Sequence, residues 1–354
     1  MPTSLRSCLT SASRVPTADL LKGVAVIFMI QVHLIELFAN PDVNHSTIGR
    51  FSLFLGGPPA APVFMAVMGY FLAATKKSLS QLMRRGLLLI IGGLCLNVGL
   101  NLNLLISISQ GRFALDPLAY IFGADILTLA GLSVIIVAIV RPLFKQSPVA
   151  YSLMAMIVAA LAPLLPNIGT PERPVLMYLN PFFWGDYSWS YFPLFPWLAY
   201  PLVGYAFKLV HDRFELEKKL SLRVALALII VLIAGFVMTA DYAVRSSSHL
   251  PSYYHHGIVF ALWTAFFLAG WTLLLFLADQ MSGQRMVLLY LKWLGHNVTA
   301  TYVIQWLLIG NIATEIYRTQ SKTQLLLWFM LIGALTSLLT ALWTNVKAKL
   351  RFVR

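Results

Sequence analysis

The chain of 354 residues is 59% hydrophobic and only 11% charged, with a formal charge of +13 at neutral pH. Soluble domains carry about 25% charged residues, so a water-facing globule is excluded and lipid must be the solvent. The positive charge is scattered along the chain, which argues against a nucleic-acid partner. Cys8 and Cys95 lie far apart, and neither a disulfide nor a zinc spacing is present.

A helix crosses a bilayer with roughly 20 apolar residues. Ten runs fit, at 18–39, 52–75, 86–106, 118–140, 149–165, 192–210, 224–240, 256–278, 287–311 and 324–346. They are continuous apolar runs without period-2 alternation, so they predict helices and not barrel strands. The expectation is an all-α, polytopic integral membrane bundle of about ten helices. It forms one domain over residues 1–354, with short tails at 1–17 and 347–354. Residues 1–17 are polar and carry no apolar core of a signal peptide.

Lysine and arginine favour cytoplasmic loops. With the N-terminus inside, the predicted spans place 20 of the 26 basic residues on the cytoplasmic side and 6 outside. Both termini are then cytoplasmic, and the net charge is a topology signal. The longest outer loop, about 166–191, is rich in proline and aromatics, including Pro166, Pro171, Trp184 and Trp189. It reads either as an interfacial aromatic belt or as a lid or sugar platform. Asp186, Trp189 and, just beyond it, Trp197 are candidate substrate contacts. The stretch 211–223, with Lys218 and Lys219, is a charged cytoplasmic hinge.

Ionisable groups at membrane depth are costly and mark function by default. The first span carries Asp19 and Lys22 near its inner start and His33 and Glu36 toward its outer end. Lys22, Met29 and His33 are spaced by 7 and 4, along one face. Glu36 follows His33 by three residues, within reach on a helix. A histidine that takes a proton and a carboxylate that holds its tautomer make an acid–base pair. His45, in the outer loop that follows, is a second candidate base. His255 and His256 open the eighth span at the interface. Asn97 and Asn101 share a face of the third span and act either as helix glue or in substrate binding. Asn297 is a further polar candidate in the ninth. Asp125 lies about seven residues into the fourth span and needs a partner or a wet cavity.

The first span reads Arg14-x4-Asp19-x2-Lys22-Gly23-x5-Met29-x3-His33. It resembles the opening of bacterial membrane proteins related to heparan-α-glucosaminide N-acetyltransferase, within the transmembrane acyltransferase superfamily. Ala61-Pro62-Val63-Phe64 with Gly69-Tyr70, Pro193-Leu194-Phe195-Pro196-Trp197 with Gly204, and Leu294-Gly295-His296-Asn297 with Tyr302 are similar to later motifs of the same family. Lys22 replaces the commoner arginine, and Gln305 stands where many relatives carry histidine. In the eukaryotic members the catalytic histidine lies in the loop after the first span, nearer His45 than His33.

The resemblance implies a bacterial inner-membrane acyltransferase. It would take an acyl group, acetyl above all, from cytoplasmic acyl-CoA to a hydroxyl or amine of an extracytoplasmic sugar or glycan, without a metal. A homodimer is compatible with it. Lys22, Lys76, Lys77, Arg84 and Arg85 form an inner basic rim suited to CoA phosphates, or report only positive-inside bias. The alternative reading is a transporter or flippase for a glycan, lipid-linked sugar or small solute, with His33, Asp125 and the asparagines lining a path. The topology predicts that cysteines placed at Ser46 or Ser188 react with a membrane-impermeant maleimide in intact cells. Labelling only after permeabilisation reverses the assignment.

Overall fold

The computed structural model describes residues 15–165, 174–216, 221–282 and 284–352. The N-terminal tail with Cys8, the Pro166 and Pro171 part of the long loop, and Lys218 and Lys219 of the hinge lie outside these residues. Helices form nearly everything described. They are α1 Pro16–Leu37, α2 Pro41–Asn44, α3 Thr47–Gly56, α4 Ala61–Ala74, α5 Leu79–Leu100, α6 Leu102–Ser109, α7 Pro117–Ile121, α8 Ile126–Phe144 and α9 Pro148–Leu161. There follow α10 Pro174–Leu179, α11 Leu194–Trp197, α12 Ala199–Phe214, α13 Leu222–Ser248, α14 Leu250–Tyr254, α15 Ile258–Ser282, α16 Met286–His296, α17 Val298–Ile316 and α18 Lys322–Phe352.

The helices start where the backbone donors find partners. Pro16 opens α1, where a missing N–H costs nothing. Ser78 and Gln81 form a reciprocal capping box at α5, and Ser147 and Ser221 cap α9 and α13. The surface is apolar, as lipid demands: Leu88, Ile91, Val231, Met238, Leu327 and Met330 are all exposed. The interior carries the polar exceptions, among them Asn97, Asp125, His256 and Gln305.

Among the described residues, seven helical stretches are long and apolar enough to cross a bilayer, counting 47–74 as one. The other three expected spans exist but are shorter or broken. α9 has 14 residues and α12 has 16, and the run at 287–311 divides at Asn297 into α16 and α17. Three further runs read as continuous are also interrupted. Gly57, Pro58 and Pro59 split 52–75 into α3 and α4, because prolines remove donors and force the preceding residues out of the helical region. Asn101 ends α5 and opens α6. The run at 118–140 is α7, a break at 122–125, and α8.

Two pairs of glycines set how closely the helices approach. A β-carbon on Gly23 of α1 would collide with the Leu291 carbonyl of α16, and one on Gly295 of α16 with the Asp19 carbonyl of α1. A β-carbon on Gly69 of α4 would meet the Pro201 carbonyl of α12, and one on Gly204 the Ala66 carbonyl of α4. Backbone lies on backbone at both crossings, as in small-residue packing of membrane helices. Around them, Leu20, Ala25, Trp197, Tyr200 and Leu202 form the buried core, with Tyr151 stacked on Tyr205 at 4.1 Å.

Gly23→Val or Gly295→Val should therefore destabilise the protein by about 3 kcal/mol or more, beyond ordinary overpacking. The check is the thermal midpoint in detergent. Gly333→Ala, at a position with nothing near its β-carbon, should leave it unchanged or raise it slightly.

Candidate active site

The last turns of α1 carry His33 and Glu36 on the side that faces the bundle. His33 Nδ1 lies 3.5 Å from Glu36 Oε2, and both side chains are largely buried. The other carboxylate oxygen, Oε1, accepts from the Tyr254 hydroxyl of α14 at 3.3 Å. The His33 ring lies against the Trp306 indole of α17, with centroids 3.9 Å apart. Nδ1 faces a carboxylate that can only accept, so in the neutral ring Nδ1 carries the hydrogen and Nε2 the lone pair.

Across from this pair stands Asp125. It is not inside a helix, as its place in the apolar run implied, but the residue that starts α8. Its Oδ1 accepts from the Ile126 amide at 2.6 Å, and its Oδ2 from the Tyr302 hydroxyl of α17 at 2.6 Å. The carboxylate is 8% exposed. A helix N-terminus favours a negative charge there, and Tyr302 supplies the neutral donor.

His33, Glu36, Asp125, Tyr302, Trp306 and Tyr254 line one cavity of about 30 Å3. Gly56, Gly57 and Ala61 from the break between α3 and α4, Phe192, Ser247 and Tyr253 belong to the same wall. Irregular backbone at membrane depth survives only where it is covered or lines a cavity. Asn97 provides the cover at the other break: its amide donates to the Ile121 carbonyl at 3.1 Å and to the Gly123 carbonyl at 2.8 Å. Asn101 donates to Asn97 O and Tyr120 O.

The remaining candidates lie elsewhere. His45 is exposed at the end of α2 and does not line the cavity. The side-chain amides of Asn97 and Asn101 are engaged with backbone carbonyls, and Asn297 donates to Trp293 O at the joint of α16 and α17. Trp197 is fully buried, its indole N–H on Tyr254 O at 2.8 Å. Trp189 belongs to an aromatic group with Tyr178 and Tyr187, and its carbonyl accepts from the Ala124 amide, next to Asp125. Asp186 is exposed, 3.6 Å from His255. Burial holds the His255 pKa below the ordinary histidine value, and the Asp186 carboxylate draws it partly back up.

His256 is a correction to the interfacial reading. It is buried, with Nδ1 on the Tyr253 carbonyl and Nε2 on the Tyr200 hydroxyl, each at 2.7 Å. A carbonyl only accepts, so Nδ1 donates and Nε2 accepts from Tyr200. Gln305 is fully buried and does not line the cavity.

The inner rim is divided. Lys22 pairs with Asp19 at 2.7 Å and lies over the Phe71 ring. Lys76 is exposed, and Arg84 and Arg85 are exposed on the early turns of α5. Lys77 instead joins Arg141 and Lys145, which were not singled out in the sequence, around a cavity of about 370 Å3. Arg141 also donates to the Thr75 carbonyl at 3.0 Å.

The cavity at His33 thus brings a histidine and two carboxyl groups together inside a bundle of membrane helices. A family model described as an acyltransferase domain matches residues 15–346, and the chain belongs to that family; it is a membrane acyltransferase. The match supports that broad class and does not reach the heparan-α-glucosaminide N-acetyltransferase-like subtype. No curated protein matches the chain.

Tyr302→Phe should cost about 1.5–3 kcal/mol, because it strips a buried carboxylate of its hydrogen bond. Thermal unfolding in detergent measures it. An unchanged midpoint means that Tyr302 does not support Asp125.

Proposed function

We propose that the protein moves an acyl group, acetyl above all, from cytoplasmic acyl-CoA to a hydroxyl or amine of an extracytoplasmic sugar or glycan. The observation that carries this reading is the Tyr254–Glu36–His33 chain in a cavity at one end of α1. Glu36 orients the imidazole and supports its positive charge, while Tyr254 holds Glu36. His33 Nε2 then takes the acceptor's proton as general base. The cavity of about 30 Å3 admits a group of about two water-sized atoms, since one water needs roughly 10–15 Å3. That suits an acetyl head and leaves the sugar ring at the mouth.

Two observations support a donor that enters from the opposite end. Lys77, Arg141 and Lys145 gather three cations round one cavity, and cations of this kind bind phosphates. A second, apolar cavity of about 450 Å3 runs beside Ala18 and Leu21 of α1. Ala18, Leu21, Ala25, Met29, Val32 and Glu36 follow one another by three or four residues, so both cavities lie on one face of α1. From Lys22 to His33 is roughly 16 Å of helix, a span for an extended pantetheine arm. The basic-residue count then puts the His33 end outside.

The test supplies purified protein with labelled acetyl-CoA and a chitosan oligosaccharide, which offers both hydroxyls and amines. The reading expects acceptor-dependent CoA release with transfer of label. His33→Ala should lose about 10²–10⁴-fold in rate while still folding, and Glu36→Gln should lose less. Full turnover in His33→Ala with none in His45→Ala overturns the assignment. Charge reversal at Lys77 and Lys145 together should weaken acetyl-CoA binding at least about tenfold, as a charge-assisted hydrogen bond contributes about 1.5–3 kcal/mol. Unchanged binding leaves these residues as topology signals only.

A further inference from the structure

Most polar groups in the cavity wall are already used. The Tyr254 hydroxyl is on Glu36, the Tyr302 hydroxyl is on Asp125, and His33 faces Glu36. Three donors differ: the Trp306 indole N–H, whose ring lies against the His33 imidazole, and two hydroxyls. Ser247, at the end of α13, is 1% exposed, and Tyr253, in α14, is 4% exposed. Both residues line the cavity, and neither hydroxyl has a hydrogen-bond partner among the described residues. Other buried hydroxyls, such as those of Ser133 and Thr336, also lack a partner among the described residues, but these two share one cavity with His33, where a ligand can meet them.

Their setting is rigid. The Tyr253 carbonyl is fixed by His256, which Tyr200 holds in turn, and the next carbonyl, Tyr254 O, is fixed by the Trp197 indole. The Tyr253 ring stands edge-on to Trp197, with centroids 5.4 Å apart. A β-carbon at Gly57 would come within 3.3 Å of that ring, so the glycine of the α3–α4 break leaves it room. Donors fixed before the reaction need no reorganisation when charge develops, which is the condition for strong electrostatic catalysis.

We propose that Ser247 Oγ and Tyr253 Oη are the oxyanion donors, and bind the carbonyl oxygen of the acyl group. The assignment rests on the acyl-transfer reading. The acceptor oxygen or nitrogen bonds to the carbonyl carbon and loses its proton to His33 Nε2. The carbonyl π pair moves onto the oxygen, where the two hydroxyls donate hydrogen bonds. The C=O double bond then re-forms, the C–S bond breaks, and the CoA sulfur leaves with the proton from His33. Neither hydroxyl is consumed. The carboxylate oxygens of Glu36 and Asp125 are already engaged with His33, Tyr254, Tyr302 and the Ile126 amide.

Tyr253→Phe and Ser247→Ala test it, each removing one hydroxyl with little change in shape. The readouts are kcat and KM for CoA release from acetyl-CoA with the chitosan oligosaccharide, and the thermal midpoint. Each variant should lose about 10²–10³-fold in kcat with KM for acetyl-CoA little changed. The midpoint should hold or rise, because an unsatisfied buried hydroxyl is removed. Unchanged kcat in both variants overturns the proposal, and so does a kcat loss that only follows a fall in midpoint. If the wild type releases no CoA, the acyl-transfer reading fails and takes the pair with it. If the wild type is active and only the Tyr253 and Ser247 variants match it, the pair alone fails.

Discussion

Lipid offers a backbone no hydrogen bonds, and the architecture of the site follows from how the chain meets that constraint. Part of the cavity wall comes from places where a helix stops at membrane depth. The break between α7 and α8 is the clearest. There the Asn97 amide takes the carbonyls of Ile121 and Gly123, and the Asp125 carboxylate takes the Ile126 amide. Asn97 thus makes it possible to end one helix and begin another inside the bundle, and the new N-terminus holds a carboxylate beside His33. At the break between α3 and α4, prolines remove the donors instead, and bare glycine backbone becomes cavity wall. Interruptions that would be defects in a lipid-facing helix here admit polar groups.

The close helix crossings serve the same end. Gly23 and Gly295 let α1 and α16 touch backbone to backbone, and Gly69 and Gly204 do so for α4 and α12. All four belong to the stretches that resemble family motifs, so part of the resemblance has a packing reason and not a chemical one. Such contacts leave little freedom to slide. His33, ten residues beyond Gly23 along the same rod, inherits its position from that crossing. Hydrogen bonds of 3.3–3.5 Å, such as those at Glu36, gain their directional meaning from a frame of this stiffness.

What could be read in the sequence was local. The apolar runs gave the all-helical class, because lipid imposes one secondary structure on a long apolar stretch. The His33–Glu36 pair was legible, because residues three apart meet on any helix. Tyr254 was not, since it reaches Glu36 across 218 positions. Tyr302 stood in a quoted motif, but its bond to Asp125 crosses 177. Asp125 was set too deep because nothing near it in the sequence signals a break: Gly123 is a weak mark, and the decisive amide of Asn97 comes from another helix. The division of the basic rim has the same origin. Sequence places Lys77 with its neighbours Lys76, Arg84 and Arg85, whereas the fold turns it toward Arg141 and Lys145.

Buried polar groups in this bundle differ in how far the protein satisfies them: Gln305, Ser133 and Thr336 lack a partner among the described residues, away from the cavity, and two other sets bear on the site. Asn97, His256, Tyr200 and the Trp197 indole are satisfied by the protein itself, and so they fix the geometry and have little left to offer a ligand. The groups around His33 are only partly satisfied. Glu36 receives one hydroxyl, the imidazole keeps its Nε2 edge, and Ser247 and Tyr253 keep their hydrogens. A protein selected for stability alone would gain by replacing such hydroxyls with carbon. The satisfied groups next to the cavity have a physical role. A frame pinned by their bonds can hold unspent donors at a fixed place in a low-dielectric interior, where each is worth more than it would be in water.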